Sequence, residues 1–153
     1  MKTRTINFKN KSSVFWKYFT ENTTDTRCMR NTANFYIRNT MTGIRKSPEE
    51  RTALETEVLH DVFTGIQKAN QEAEERLVKS GGMKSAVRRS RLVQTVFSYP
   101  TKDKWFLNYE TLDAIFKETD HPVYRRINSQ VNQNAIRKTV KSWIGYFKSM
   151  KEY

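Results

Sequence analysis

The feature that most limits what this chain can become is the run opening at Ser47-Pro48-Glu49-Glu50. Serine is a favoured helix cap, proline carries the preset φ of a first helical position, and Glu50 can reach back to close a capping box. Leu54, Val58, Val62, Ile66, Ala69, Ala73 and Leu77 then recur at three- and four-residue spacing, the period of one helical face and not of a strand. At 1.5 Å per residue this helix approaches about 45 Å, unless Gly65 bends it. Its other face is rich in glutamate and reads as solvated. An element of that length must bury its stripe against other helices.

The rest of the chain supplies them. Ser13 can cap a helix through about Thr20, with Val14, Phe15, Tyr18 and Phe19 on its apolar side. Asp25 can cap the next, on which Met29, Ala33, Ile37, Thr40 and Ile44 share a face, with Gly43 near the end. After the long helix, Ser80-Gly81-Gly82 is a break, followed by a basic stretch from Met83 to Arg91, and Tyr99-Pro100-Thr101 is a turn. Asn108 caps a short helix carrying Leu112, Ile115 and Phe116, Asp120-His121-Pro122 opens another turn of helix, and Asn128 or Ser129 caps the last one. Residues 3–9 alternate, with Ile6 and Phe8 on one side, and read as a short strand whose ladder partner is not found nearby. The expected class is mainly α, a helical bundle with one short N-terminal strand.

The 153 residues suffice for one domain with its own core. A net charge of +12 and a pI near 9.9 point to a polyanionic partner. The charge is unevenly placed: residues 1–46 hold 10 basic and 2 acidic side chains, residues 47–76 hold 3 and 8, and residues 121–153 hold 7 and 1. The acidic helix is therefore expected to stay away from whatever polyanion binds. The one cysteine, Cys28, rules out a disulfide framework within the chain and a multi-cysteine zinc site, and reads as a half-buried helical residue. The polar start Met1-Lys2-Thr3-Arg4-Thr5 has no apolar run behind it, and no stretch reaches the roughly 18 apolar residues of a membrane span. A reducing, cytoplasmic and nucleoid-associated setting is the expectation, which makes the Asn22-Thr23-Thr24 sequon incidental.

The last helix divides into two faces. Ala135, Ile136, Val140, Trp143, Phe147 and Met150 lie on one, with Trp143 and Phe147 expected to bury against the helix of Ala33 and Ile37. Gln130, Gln133, Asn134, Arg137, Lys141 and Lys148 lie on the other, without an acidic neighbour before Glu152. Amides can read base edges and cations can take phosphates, so this stripe suits a nucleic-acid groove as well as it suits plain solvation. Catalytic candidates are few. His60 and His121 fall on different elements, and Asp103, Glu110 and Asp113 are explained by capping and solubility. No set of two or three converging carboxylates for a divalent metal can be assembled, so neither catalytic residue, metal nor cofactor is expected.

Two stretches carry a family likeness. The first is Arg30-Asn31-Thr32-Ala33-Asn34-Phe35-Tyr36-Ile37-Arg38. The second is Val123-Tyr124-Arg125-Arg126-Ile127-Asn128-Ser129-Gln130-Val131-Asn132-Gln133-Asn134-Ala135-Ile136-Arg137-Lys138, continuing through Lys141-Ser142-Trp143-Ile144-Gly145-Tyr146-Phe147-Lys148. Together they resemble the amino-terminal region of the TnpB (OrfB) proteins of bacterial insertion sequences, RNA-guided DNA nucleases related to compact type V CRISPR effectors. The resemblance implies that residues 1–11 open a wedge-type barrel and that residues 12–153 form a helical recognition lobe, enlarged by the helix of 47–79. It also implies that the nuclease portion lies beyond Tyr153, so the chain itself would bind without cutting.

The implied partners are duplex DNA next to the target, guide RNA and that nuclease portion, with no membrane. By matching position Gln133 is the base-edge reader, with Ser129, Gln130 and Asn134 beside it, and Trp105 and Tyr109 correspond to preceding aromatic contacts. Arg137, Lys141 and Lys148 would meet DNA phosphates, and Arg88, Arg89 and Arg91 would meet RNA phosphates. Two other readings stay open: a free-standing helical repressor or accessory protein, and a helical homodimer whose charge serves solubility.

Overall fold

The computed structural model describes residues 12–79 and 96–152, and within them the chain is mainly α. The expected opening strand, the glycine break after the long helix and Arg88, Arg89 and Arg91 lie outside the described residues.

Helix α1 runs unbroken from Ser13 to Gly43. Ser12, not Ser13, caps it, its hydroxyl accepting from the Phe15 N–H at 3.3 Å. The break expected before Asp25 does not occur. Asn22, Thr23 and Thr26 instead donate to the carbonyls of Tyr18, Phe19 and Asn22, one turn back. Their side chains are satisfied along the helix and do not compete to end it. In the first turns Val14, Tyr18 and Phe19 are exposed, and the Phe15, Trp16 and Phe19 rings pack on one another. At the other end the Arg51 guanidinium donates to the carbonyls of Gly43 and Lys46, at 2.8 and 3.3 Å, where a helix end favours a cation.

The Ser47-Pro48-Glu49-Glu50 signal is used, but for a single 3-10 turn, Pro48–Glu50. Glu50 accepts from the Ser47 N–H at 3.1 Å, and Arg51 is then extended. Helix α2 starts later and spans Ala53–Lys79. It has its own reciprocal cap: Glu55 accepts from the Thr52 N–H at 2.9 Å, and the Thr52 hydroxyl accepts from the Glu55 N–H at 3.2 Å. Starting there leaves Leu54 exposed, outside the expected core stripe, and draws Glu55 inside it. The stripe of Val58, Val62, Ile66, Ala69 and Ala73 is buried as its period requires. Gly65 does not interrupt the helix; a Cβ there would lie 2.9 Å from the Ile115 Cα, so glycine is what lets the next helix close on α2.

Helix α3, Tyr109–Glu118, is capped by Asn108, and α4, Pro122–Arg125, is a single turn capped by His121. Asp120 between them has φ 52°, a left-handed conformation that aspartate tolerates better than most residues. Helix α5, Ser129–Lys151, is capped by Asn128. Ahead of α3, Asn70 of α2 fixes the loop by exchanging two hydrogen bonds with the Phe97 backbone, at 2.8 and 2.9 Å.

The helices form a closed circuit: α1 packs on α5 and on α2, α2 on α3, and α3 on α5. Met29, Ala33 and Ile37 from α1, Val62 and Ile66 from α2, Leu112, Ile115 and Phe116 from α3, and Ala135 and Ile136 from α5 fill the middle. No helix among the described residues is long and apolar enough to cross a membrane.

Candidate nucleic-acid interface

The circuit sorts charge by layer. Helix α5 carries five basic side chains and no acidic one, and α1 carries four against two. Helix α2 carries six acidic against three basic, and α3 three against one. Because α1 pairs with α5 and α2 with α3, one side of the bundle is basic and the other acidic.

The outward stripe of α5 stands where its period puts it. Ser129, Gln130, Asn134, Arg137, Lys141 and Lys148 are exposed, and Gln133 is half-buried. None of these cations has an ion-pair partner among the described residues. Asn132, inside the same amide-rich run, is different: it is fully buried, and its amide donates to the Tyr124 and Ile127 carbonyls to hold the α4–α5 turn.

Tyr109 does reach the stripe. The Arg137 guanidinium lies 4.3 Å from the centroid of its ring, a close cation–π contact. Partial burial of Tyr109 pushes its phenol above the ordinary range. Trp105 does not join them. It packs edge-on against Phe147 at 5.4 Å and against Phe106, with the Arg45 guanidinium 5.5 Å above its ring. The structure thus brings Tyr109 and Arg137 together and places Trp105 in a separate aromatic cluster.

The expected burial of Trp143 and Phe147 is only half realised. Trp143 is partly exposed and hydrogen-bonds through its indole N–H to Asn34 Oδ1 at 2.8 Å, while Met150 is exposed outright. With Met41, Tyr146 and Phe147 they line an open apolar groove of about 520 Å³. Helix α5 continues past the end of the core, so these rings meet α1 on one side and solvent on the other.

Contributions from α1 were missed in the sequence. Arg27, Arg30, Asn31 and Asn34 face α5 across a notch of about 250 Å³ closed by Thr139, Ser142 and Trp143. Their three- and four-residue spacing was readable and the packing of the last helix on that of Ala33 and Ile37 was expected, but that these polar side chains would border the contact was not.

The titratable groups elsewhere are engaged with each other. The Tyr36 hydroxyl donates to Asp61 at 2.6 Å and the Tyr124 hydroxyl to Asp113 at 2.8 Å. Burial, then the neighbouring carboxylate, pushes both phenols upward. His121 accepts from the Val123 N–H through Nδ1, and burial holds its pKa below the ordinary value. Tyr36, Asp61 and His121 line a cleft of about 710 Å³ with Phe35, Leu54 and Glu57. His60 is exposed beside Asp61, and Asp103 and Glu110 are exposed and apart from Asp113's hydrogen bond. Among the described residues no three histidine, cysteine, aspartate or glutamate side chains gather as a metal site would require.

No protein-family model, curated protein or solved structure matches the chain.

Proposed function

We propose that the chain is a nucleic-acid-binding module whose α1/α5 side takes duplex DNA, as the recognition lobe of a TnpB-like RNA-guided nuclease would, and that it binds without cutting. The supporting observation is the exposed stripe of α5, where long amides and cations stand together with no acid among the described residues to neutralise them. Cations that merely keep a protein soluble gain by pairing with nearby carboxylates, as Arg76 and Lys79 do on α2 with Glu72 and Glu75. An unpaired stripe is electrostatically suited to phosphates, and its amides have the hydrogen-bonding pattern that base edges require. In this reading Gln133, with Ser129, Gln130 and Asn134, faces base edges, while Arg137, Lys141 and Lys148 face the backbone. Guide RNA is the second polyanion, and Arg88, Arg89 and Arg91 are its proposed phosphate contacts.

A binding titration on two duplexes differing only in the target-adjacent motif, at several salt concentrations with and without guide RNA, tests this. Gln133→Ala is expected to lose about 1–3 kcal/mol on the preferred duplex and little on the other. Lys141→Ala is expected to weaken both alike and to lower the salt slope by about one unit. Equal losses on both duplexes for Gln133→Ala would remove it as a reader. Salt-independent binding would remove the nucleic-acid reading altogether. Motif selectivity without any RNA would favour a free-standing repressor over a recognition lobe.

A further inference from the structure

We infer that the notch between α1 and α5 is a backbone-phosphate site, a second anchor that fixes how the α5 stripe sits on the nucleic acid; this rests on the reading above. The notch is lined by Arg27, Arg30, Asn31 and Asn34 on α1 and by Thr139, Ser142 and Trp143 on α5, and no acidic side chain among the described residues borders it. Both arginines are exposed and have no ion pair among the described residues.

The orientation of Asn34 carries the inference. An indole N–H can only donate, so the Trp143 bond at 2.8 Å fixes the Asn34 carbonyl oxygen toward the ring. The amide nitrogen, with its two N–H groups, is left on the other side. Ser142 and Thr139 donate their hydroxyls to carbonyls of their own helix, Lys138 and Ala135, at 2.9 and 3.0 Å. The groups free to act at the notch are therefore two guanidinium forks, the Asn31 amide and the pre-turned Asn34 amide. Guanidinium forks match phosphate oxygens bidentately, and two of them around a small concavity suit a tetrahedral anion. The notch holds about 250 Å³, room for a phosphodiester group but not for a base pair. A phosphate held there lies against the flank of α5, so backbone position and stripe register become one geometric fact.

The test is Asn34→Asp in the full chain. Aspartate keeps the shape and still accepts from the Trp143 indole, so tryptophan fluorescence and thermal unfolding should stay as in the wild type. It replaces the amide donor with a carboxylate facing the bound anion, which is unfavourable in a contact of this kind. Binding to both duplexes is expected to fall by at least about tenfold, because like charges set against each other are strongly disfavoured. Arg27→Ala and Arg30→Ala should each lower the salt slope by about one unit. In nitrogen-15 spectra of the wild type, added duplex should move the Asn34 side-chain amide and the Trp143 indole signals. Wild-type affinity in Asn34→Asp overturns the notch; if Lys141→Ala still weakens binding, the wider reading survives without it. If inorganic phosphate moves those signals and duplex does not, the site takes a free ion and the inference to a nucleic-acid backbone falls.

Discussion

The α1/α5 layer and the α2/α3 layer are built from helices of the same kind and share one core, yet they treat charge in opposite ways. On α2 and α3 seven of the charged groups are used within the molecule. Glu55 takes the Lys46 ammonium and the Thr52 N–H, Glu72 and Glu75 hold Arg76 and Lys79, and Asp61 and Asp113 accept phenol protons from Tyr36 and Tyr124. On α1 and α5 the cations have no acidic partner among the described residues, and Arg137 on α5 and Arg45 just after α1 each rest on an aromatic ring, Tyr109 and Trp105. A cation lying on a ring keeps its charge available and loses less freedom when an anion arrives. The difference separates charge paired within the fold from charge left unpaired among the described residues, and under the proposed function it is the second kind that meets a partner.

The largest effect should come from the residue the layers share. Phe116 is fully buried on α3 and meets the ring of Tyr36 on α1 edge-on at 4.8 Å, with His121 and Tyr124 on its other sides. Phe116→Ala is expected to cost about 3–5 kcal/mol in urea unfolding, with one transition for the whole chain. Two separable transitions would break the picture of one core serving two layers.

A smaller, pH-dependent effect should come from the acidic layer. The Lys46 hydrogen bond, with that of the Thr52 N–H, holds the Glu55 carboxyl at about 2, against 4.5 for an ordinary glutamate. A depressed folded-state pKa stabilises above the unfolded value, and that contribution is lost as pH falls toward the folded one. Stability should therefore decline between about pH 4.5 and pH 2, and Glu55→Gln should flatten that part of the curve. At neutral pH the variant is expected to cost about 1 kcal/mol through the weakened cap and ion pair, with DNA binding unchanged. A wild-type profile from Glu55→Gln would mean that other carboxylates carry the acid sensitivity.

The smallest effect sharpens the comparison most. Arg76→Ala with Lys79→Ala removes two cations from α2, and stability should move by less than about 0.5 kcal/mol because both pairs are exposed. Nucleic-acid affinity should not change, whereas the same loss of net charge at Lys141 and Lys148 is expected to lower it. Equal losses from the two pairs would show that affinity follows total charge and not the face that bears it.

The sequence by itself determined the helices and most of their inner faces. The periods of α2, α3 and α5 named Val62, Ile66, Leu112, Ile115, Phe116, Ala135 and Ile136 as core, and each is buried. Caps at Asn108 and Asn128 were equally legible, because a cap depends on residues two or three apart. Where competing local signals met, local reading failed: the polar run at 22–26 stayed helical, and the strong Ser47 signal closed one turn while Thr52 and Glu55 opened the long helix. The candidate site divides along the same line. Residues of one stripe, Gln130, Asn134, Arg137, Lys141 and Lys148, follow from one helix's own period. Arg27, Arg30 and Asn34 meeting Ser142 and Trp143, Tyr109 under Arg137, and the open groove beside Met150 depend on which helix lies against which. The pairing of the last helix with that of Ala33 and Ile37 was expected from the sequence, but which polar residues border the contact only packing decides, because a helix's period fixes which residues share a face and not how a neighbour crosses it.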